Sequence, residues 1–170
     1  ELSSTPASTA NWWETDAAAI RWLEQARDAL LPAQGLLVKP SCGEQSFEVI
    51  VDAKERFFRG VGAKKVWPAH NRMCAFLDDF AANSSAPGLA VELGAGMGIP
   101  GMRLAQHGWR VLLTDLPVLL PLTALNVDAN AALFLGPAAT RPSIAPLRWG
   151  CDADAAALLA CCNGQRPQLC

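Results

Sequence analysis

The sequence predicts an α/β fold, a Rossmann-like doubly wound parallel sheet, and three observations carry that prediction. From residue 66 onward, segments of helical period alternate with short apolar runs in the order helix–strand–helix–strand–helix–strand. A glycine-dense turn, Gly94-Ala95-Gly96-Met97-Gly98, joins the first of those strands to its helix. The next strand then ends on an acid, Asp115. Strand, glycine loop, helix, strand and acid describe half of a nucleotide-binding βαβ unit.

Residues 1–14 are mostly Ser, Thr, Ala and Asn and predict a disordered lead-in. Residues 15–65 form an N-terminal region. Thr15 caps its helix, Asp16 suits the first turn, and Ile20, Leu23, Arg27 and Leu30 follow helical spacing until Pro32 and Gly35 end it. Trp12, Trp13 and Trp22 are read as packing this helix onto the body. Leu36–Lys39 and Phe47–Val51 are expected as short strands around the turn Pro40–Gly43. Residues 52–65 are charged and carry two glycines, a mobile connector with Phe57 and Phe58 as buried anchors.

A helix is predicted over 68–82, with Pro68 at its start and Met73, Phe76, Leu77 and Phe80 as one core-packing stripe. After the loop Asn83–Gly88 come strand Leu89–Leu93, the glycine turn, a helix from about Pro100 to Gly108, and strand Arg110–Thr114 closing on Asp115. Pro117 opens the following helix, with Leu119, Leu122 and Leu125 inside it and Pro121 near the end of its first turn. Ile144–Arg148 is a third strand ending at Trp149-Gly150, and Asp152 caps a last helix running through Cys162. The remaining NGQRPQLC reads as a loop.

The chain has 170 residues, 51% hydrophobic and 18% charged, with a net charge of −2 and no basic cluster. That balance fits a globular domain and gives no electrostatic footprint for nucleic acid or anionic lipid. No apolar run approaches the ~20 residues of a membrane span. Neither nucleic acid nor a membrane is therefore expected as a partner. The six cysteines contain no C-x-x-C pair, and only His70 and His107 could assist them, so no metal site is expected. They read as reduced, semi-buried side chains of a monomer expected in the cytoplasm, with the nucleus as a second location.

The glycine loop decides which cofactor is expected. The literal pattern G-x-G-x-x-G runs from Gly96 to Gly101, but a dinucleotide site wants its first glycine directly after the strand. The strand ends at Leu93, so the natural triplet is Gly94, Gly96 and Gly98. Glu92 lies two residues before that triplet, where a carboxylate suits a cationic ligand better than a pyrophosphate. S-adenosylmethionine carries a sulfonium and an amino acid and has no phosphate.

The E-x-G-x-G-x-G loop followed by a strand-end acid resembles motif I and the acidic motif of seven-β-strand methyltransferases. Val66-Trp67-Pro68-Ala69, VELGAGMGIPG, LLTDLP followed by LNVDAN, and LRW-Gly150 occur in order. Together, over roughly residues 47–150, they resemble the lysine-methyltransferase-like family, the methyltransferase-16 group. The resemblance implies the class I methyltransferase form of the fold, truncated here after its third strand, so that residues 66–170 form the N-terminal half of an S-adenosylmethionine-binding domain. It implies that Trp67 walls the cofactor pocket, Glu92 sits beneath the methionine moiety, and Gly94, Ala95 and Gly96 let the loop wrap the ligand. Asp115 would hold the ribose hydroxyls, Leu116 would touch the adenine and Trp149 would pack beside it. The acceptor it implies is a lysine of a protein such as a chaperone or translation factor.

Taken singly, Trp67 and Trp149 read as core tryptophans, and Glu92 and Asp115 as ordinary strand-end acids. His70 is read as a helix-surface or pocket-rim histidine rather than a base, and His107 as a helix C-terminal residue favouring the dipole. No catalytic residue is named. Truncation is expected to leave Leu89–Leu93 with an open edge, and the isolated chain to bind cofactor weakly or not at all and to turn nothing over. Two alternatives stand beside this reading. One is a nicotinamide-dependent oxidoreductase using Gly96–Gly101, and the other a non-catalytic interaction module that retains the fold.

Overall fold

The computed structural model describes residues 47–53, 60 and 62–170. The predicted helix from Thr15, the strand Leu36–Lys39, the N-terminal tryptophans, and Phe57 and Phe58 lie outside them. Within them the elements run α1 (Ala69–Asn83), β1 (Leu89–Leu93), α2 (Ile99–Gln106), β2 (Arg110–Asp115), α3 (Leu120–Ala129), a short 3-10 turn (Ala131–Phe134), β3 (Ser143–Pro146) and α4 (Asp152–Cys161). The three strands form one parallel sheet in the order β1-β2-β3, with Leu89 opposite Arg110 and Leu112 opposite Ser143. Parallel strands covered on both faces need apolar residues at successive positions. Leu89, Ala90 and Val91 of β1 are accordingly all buried, as are Val111, Leu112 and Leu113 of β2. One face packs with Ile99, Met102, Leu122 and Val127 into the main core, and a smaller cluster of Leu89, Val91, Leu112 and Cys162 covers the other.

The strands β1 and β2 match the sequence reading closely, and several element ends differ for local reasons. α3 begins at Leu120 rather than Pro117, because Leu119 N–H first closes a turn onto the Leu116 carbonyl at 2.8 Å. Pro121 therefore sits inside the first turn, where its missing donor leaves no bond unmade. β3 stops at Pro146, which has no N–H for a ladder. Asp152 does not cap α4; Cys151 holds the cap position without a side-chain bond, and Asp152 is the first helical residue.

The stripe predicted on α1 is half right. Leu77 is buried and Phe80 packs against the core, but Met73 and Phe76 are exposed and Cys74 takes the inner position instead. Among the described residues, Cys74, Cys151, Cys161, Cys162 and Cys170 remain thiols. α1 is fastened to α2 by Asp78, which accepts bonds from Arg103 Nε at 2.6 Å and Nη2 at 3.0 Å and lies 2.8 Å from His107 Nε2. Burial pushes the Asp78 carboxyl up, but those bonds outweigh it and hold it below its ordinary value. His107 thus has a specific partner beyond the helix dipole.

Phe47, Val49, Ile50 and Val51 are buried, yet this segment is extended chain with a single bridge position rather than a regular strand. Its backbone is held by side chains of α3 and the residue that ends it. Asn126 donates to the Ile50 carbonyl at 3.0 Å and accepts from Ile50 N–H at 2.7 Å, and Asn130 does the same for Glu48 at 2.7 and 2.9 Å. Asparagines four apart thus bond the Glu48 and Ile50 backbone as a neighbouring strand would. The edge of β1 expected to be open carries residues 168–169. Gln168 N–H bonds the Leu89 carbonyl at 2.8 Å, and Val91 N–H bonds the Leu169 carbonyl at 3.0 Å in a parallel bridge.

Candidate cofactor site

The chain turns at the carboxyl ends of all three strands, and those turns surround one cavity of about 580 Å³. This is the crevice where open α/β sheets hold ligands, and its volume suits a drug-sized molecule. β1 contributes Gly94, Ala95, Gly96 and Met97; β2 contributes Asp115, Leu116 and Leu119; β3 contributes Leu147, Arg148 and Trp149. Gly60, Gly62, Trp67 and His70 close the side next to α1.

The glycine loop owes its shape to both backbone freedom and specific anchors. Gly94, Gly96 and Gly98 all have positive φ, at 69°, 54° and 74°, which identifies them as the working triplet. Gly98 is the residue before α2, and a Cβ there would meet Leu113 Cδ1 at 2.9 Å. Ala95 N–H bonds the Thr114 carbonyl at 2.9 Å, tying the loop to β2. Gly96 is held from both sides: its N–H donates to Asp115 Oδ2 at 2.7 Å, and its carbonyl accepts from Thr123 Oγ1 at 2.5 Å. Nothing lies within 4 Å of where a Gly96 Cβ would stand, so the loop faces open space.

Asp115 is buried at the tip of β2, with its second carboxylate oxygen accepting Leu116 N–H at 2.7 Å. Each oxygen keeps a further lone pair, so the carboxylate is oriented in advance and can still accept bonds from a vicinal diol. The two tryptophans lack cover: Trp67 is 50% exposed and Trp149 76% exposed. Core tryptophans are largely buried, so these indoles are cavity walls, and the packing role weighed for them from sequence does not hold. Trp149 reaches over Gly94, its Cζ2 lying 3.8 Å from the position of a Gly94 Cβ. Its loop is fixed by Arg148, whose backbone N–H, Nε and Nη2 all donate to Asp154 at 2.8–2.9 Å. That guanidinium holds the Asp154 carboxyl well below the usual carboxylate range.

Of the residues expected at the site, Trp67, Gly94, Ala95, Gly96, Asp115, Leu116 and Trp149 share this cavity, and Glu92 does not. The Glu92 side chain turns behind the loop, where its Oε2 accepts Gly101 N–H in the first turn of α2 at 2.8 Å. It caps a helix from a neighbouring strand, satisfying a donor that the helix cannot. The approach depends on Gly101, since a Cβ there would lie 2.5 Å from that oxygen and 2.3 Å from Leu113 Cδ2. Burial pushes the Glu92 carboxyl up to about 8; the Gly101 bond opposes this and the Asp115 charge adds to it. Sequence reasoning gave no role to Thr123, nor to Asn126 and Asn130, which it met only within LNVDAN. Their signal was present in the polar spacing T-x-x-N-x-x-x-N on a helix whose other polar residue is Asp128.

Residues 46–159, well over half of the chain, match the family model described as lysine methyltransferase. The chain belongs to the lysine methyltransferase family. Two curated relatives of the chain are both named EEF1A lysine methyltransferase 3. The protein from Mus musculus is 36% identical over 94 residues, 53% of this chain and 36% of the relative. The one from Xenopus tropicalis is 29% identical over 131 residues, 74% of this chain and 56% of the relative. The matches thus span between about a third and just over half of the length of those relatives.

Proposed function

We propose that the protein is an S-adenosylmethionine-dependent methyltransferase acting on the lysine side chain of a protein partner. The observation that carries the reading is Asp115, a strand-end carboxylate pinned by Gly96 and Leu116 N–H groups beside a cavity walled by two exposed indoles. The site fits the cofactor on several counts. The open face at Gly96 admits close approach of a ligand. Asp115 accepts the ribose hydroxyls, while Leu116 and Trp149 flank the adenine on the β2–β3 side. Trp67 and the glycine loop then border the sulfonium half, where an aromatic face favours a cation. Glu92 supports this half from behind, by fixing where α2 starts. When bound, S-adenosylmethionine supplies an electrophilic methyl group. The protein's own task is to hold donor and acceptor in line and exclude water.

The relatives' names supply the acceptor class: each is named for a lysine of EEF1A, a translation factor, which supports a protein acceptor of that kind. The nicotinamide alternative meets a physical objection. A pyrophosphate needs free N–H groups at the start of the helix after the loop, and Gly101 N–H there is already given to Glu92. Titrating S-adenosylmethionine and NAD separately against tryptophan fluorescence tests the reading. The weak or absent binding expected of a truncated chain assumed an open β1 edge. With residues 168–169 on that edge and Asp115 pinned, we expect instead a saturable change with S-adenosylmethionine, reduced in Trp149→Phe, and none with NAD. Saturation by NAD alone would overturn it.

A further inference from the structure

Thr123 stands on α3 behind the glycine loop, fully buried and outside the lining of the cavity. A threonine inside a helix ordinarily turns its hydroxyl back onto the carbonyl four residues earlier. That acceptor, the Leu119 carbonyl, lies at 3.3 Å, but the Gly96 carbonyl of the loop is nearer at 2.5 Å. The single hydroxyl proton therefore serves the loop rather than the helix. The methyl has a separate task, with Cγ2 lying 3.4 Å from where a Gly98 Cβ would stand. One side chain thus holds Gly96 by a bond and backs Gly98 by shape.

The other anchors of the loop act one step earlier in the chain. The Thr114 carbonyl and Asp115 Oδ2, both on β2, accept the N–H groups of Ala95 and Gly96. The next peptide, between Gly96 and Met97, begins with the carbonyl that Thr123 holds. Gly96 has φ 54°, and a glycine lets that peptide turn over at little steric cost. Gly96 lines the cavity, so a turned peptide changes the wall that a ligand meets. Without the bond the free loop spreads over several arrangements, and apparent affinity falls by the fraction that stays competent.

We propose that Thr123 is a cofactor-positioning residue, acting through the Gly96 carbonyl without touching the ligand. The assignment rests on the cofactor reading above. It gives the free loop the shape the ligand needs, so that affinity depends on the hydroxyl and not on the methyl.

Two variants separate these groups. Thr123→Val keeps the shape and removes the hydroxyl, whereas Thr123→Ser keeps the hydroxyl and removes the methyl. Both should stay folded, with urea midpoints lowered by similar amounts, since each loses one modest buried interaction. Calorimetric titration of the 170-residue protein with S-adenosylhomocysteine should show Thr123→Val weakened about three- to tenfold, the range set by one neutral hydrogen bond. Thr123→Ser should bind as the wild type does. In the ligand-free protein, hydrogen exchange at the Gly96 and Gly98 N–H groups should quicken in Thr123→Val and not in Thr123→Ser. Equal weakening in the two variants would make Thr123 a packing residue and overturn the assignment. Unchanged affinity or unchanged exchange in Thr123→Val would overturn it too. If the wild type binds no S-adenosylhomocysteine, the cofactor reading fails and the assignment with it.

Discussion

Glu92 and Asp115 are acids at the ends of adjacent strands, yet they do different work. Asp115 faces the cavity with both oxygens oriented by backbone donors, whereas Glu92 faces the start of α2. The unfolded Glu92 carboxyl titrates near 4.5 and the folded one near 8. Between those values the folded state retains a proton that the unfolded state has lost, so this group's contribution to stability falls as pH rises and levels off above about 8. We predict that Glu92→Gln, which keeps the acceptor for Gly101, matches the wild type near pH 5 and is increasingly the more stable of the two toward pH 8, as urea midpoints would show. A constant difference across that range would contradict the assignment. Gly101→Ala should destabilise by about 1–3 kcal/mol through overpacking against Leu113, Val111 and Glu92, measurable in the same titration. The glycine triplet and Asp115 were legible from spacing because strand length fixes where a loop begins. The direction of Glu92 was not, since it depends on a missing Cβ nine residues downstream.

Among the elements, β1 and β2 were readable because short, mainly apolar runs that follow a glycine and end at a glycine or an acid have few other uses in an α/β domain. The ends of α3, β3 and α4 shifted because prolines and turn bonds compete locally with the periodic pattern. The extended segment 47–51 was the least readable, because side chains of α3 and the residue that ends it bond its backbone at Glu48 and Ile50. Asn126 is fully buried and bonds both the N–H and the carbonyl of Ile50. Asn126→Ala should therefore cost about 2–4 kcal/mol, leaving two buried backbone groups unpaired. Chemical denaturation would check this; a loss under 1 kcal/mol would mean the segment finds other partners. Trp67 and His70 follow that segment in the chain, so Asn126→Ala should also weaken ligand binding, whereas the outward-facing Met73→Ala should change neither property.

At the scale of the molecule, three parallel strands bring their carboxyl ends to one crevice, and every loop that leaves them lines it. The same sheet has residues 168–169 along the outer edge of β1. Deleting residues 165–170 should speed hydrogen exchange at Val91, whose N–H bonds Leu169, and leave the exchange of Leu113 in the central strand little changed. The fold class and the place of the crevice were both legible from the order of motifs, since topology follows from alternation alone. The cover on β1 was not, because the stretch that supplies it reads as a loop. The central claim is that Asp115 anchors S-adenosylmethionine in this crevice, and calorimetric titration of the wild type and Asp115→Ala tests it most directly. Saturable binding by the wild type with a loss of about tenfold or more in Asp115→Ala is the predicted result. An unchanged dissociation constant in a folded Asp115→Ala would contradict it.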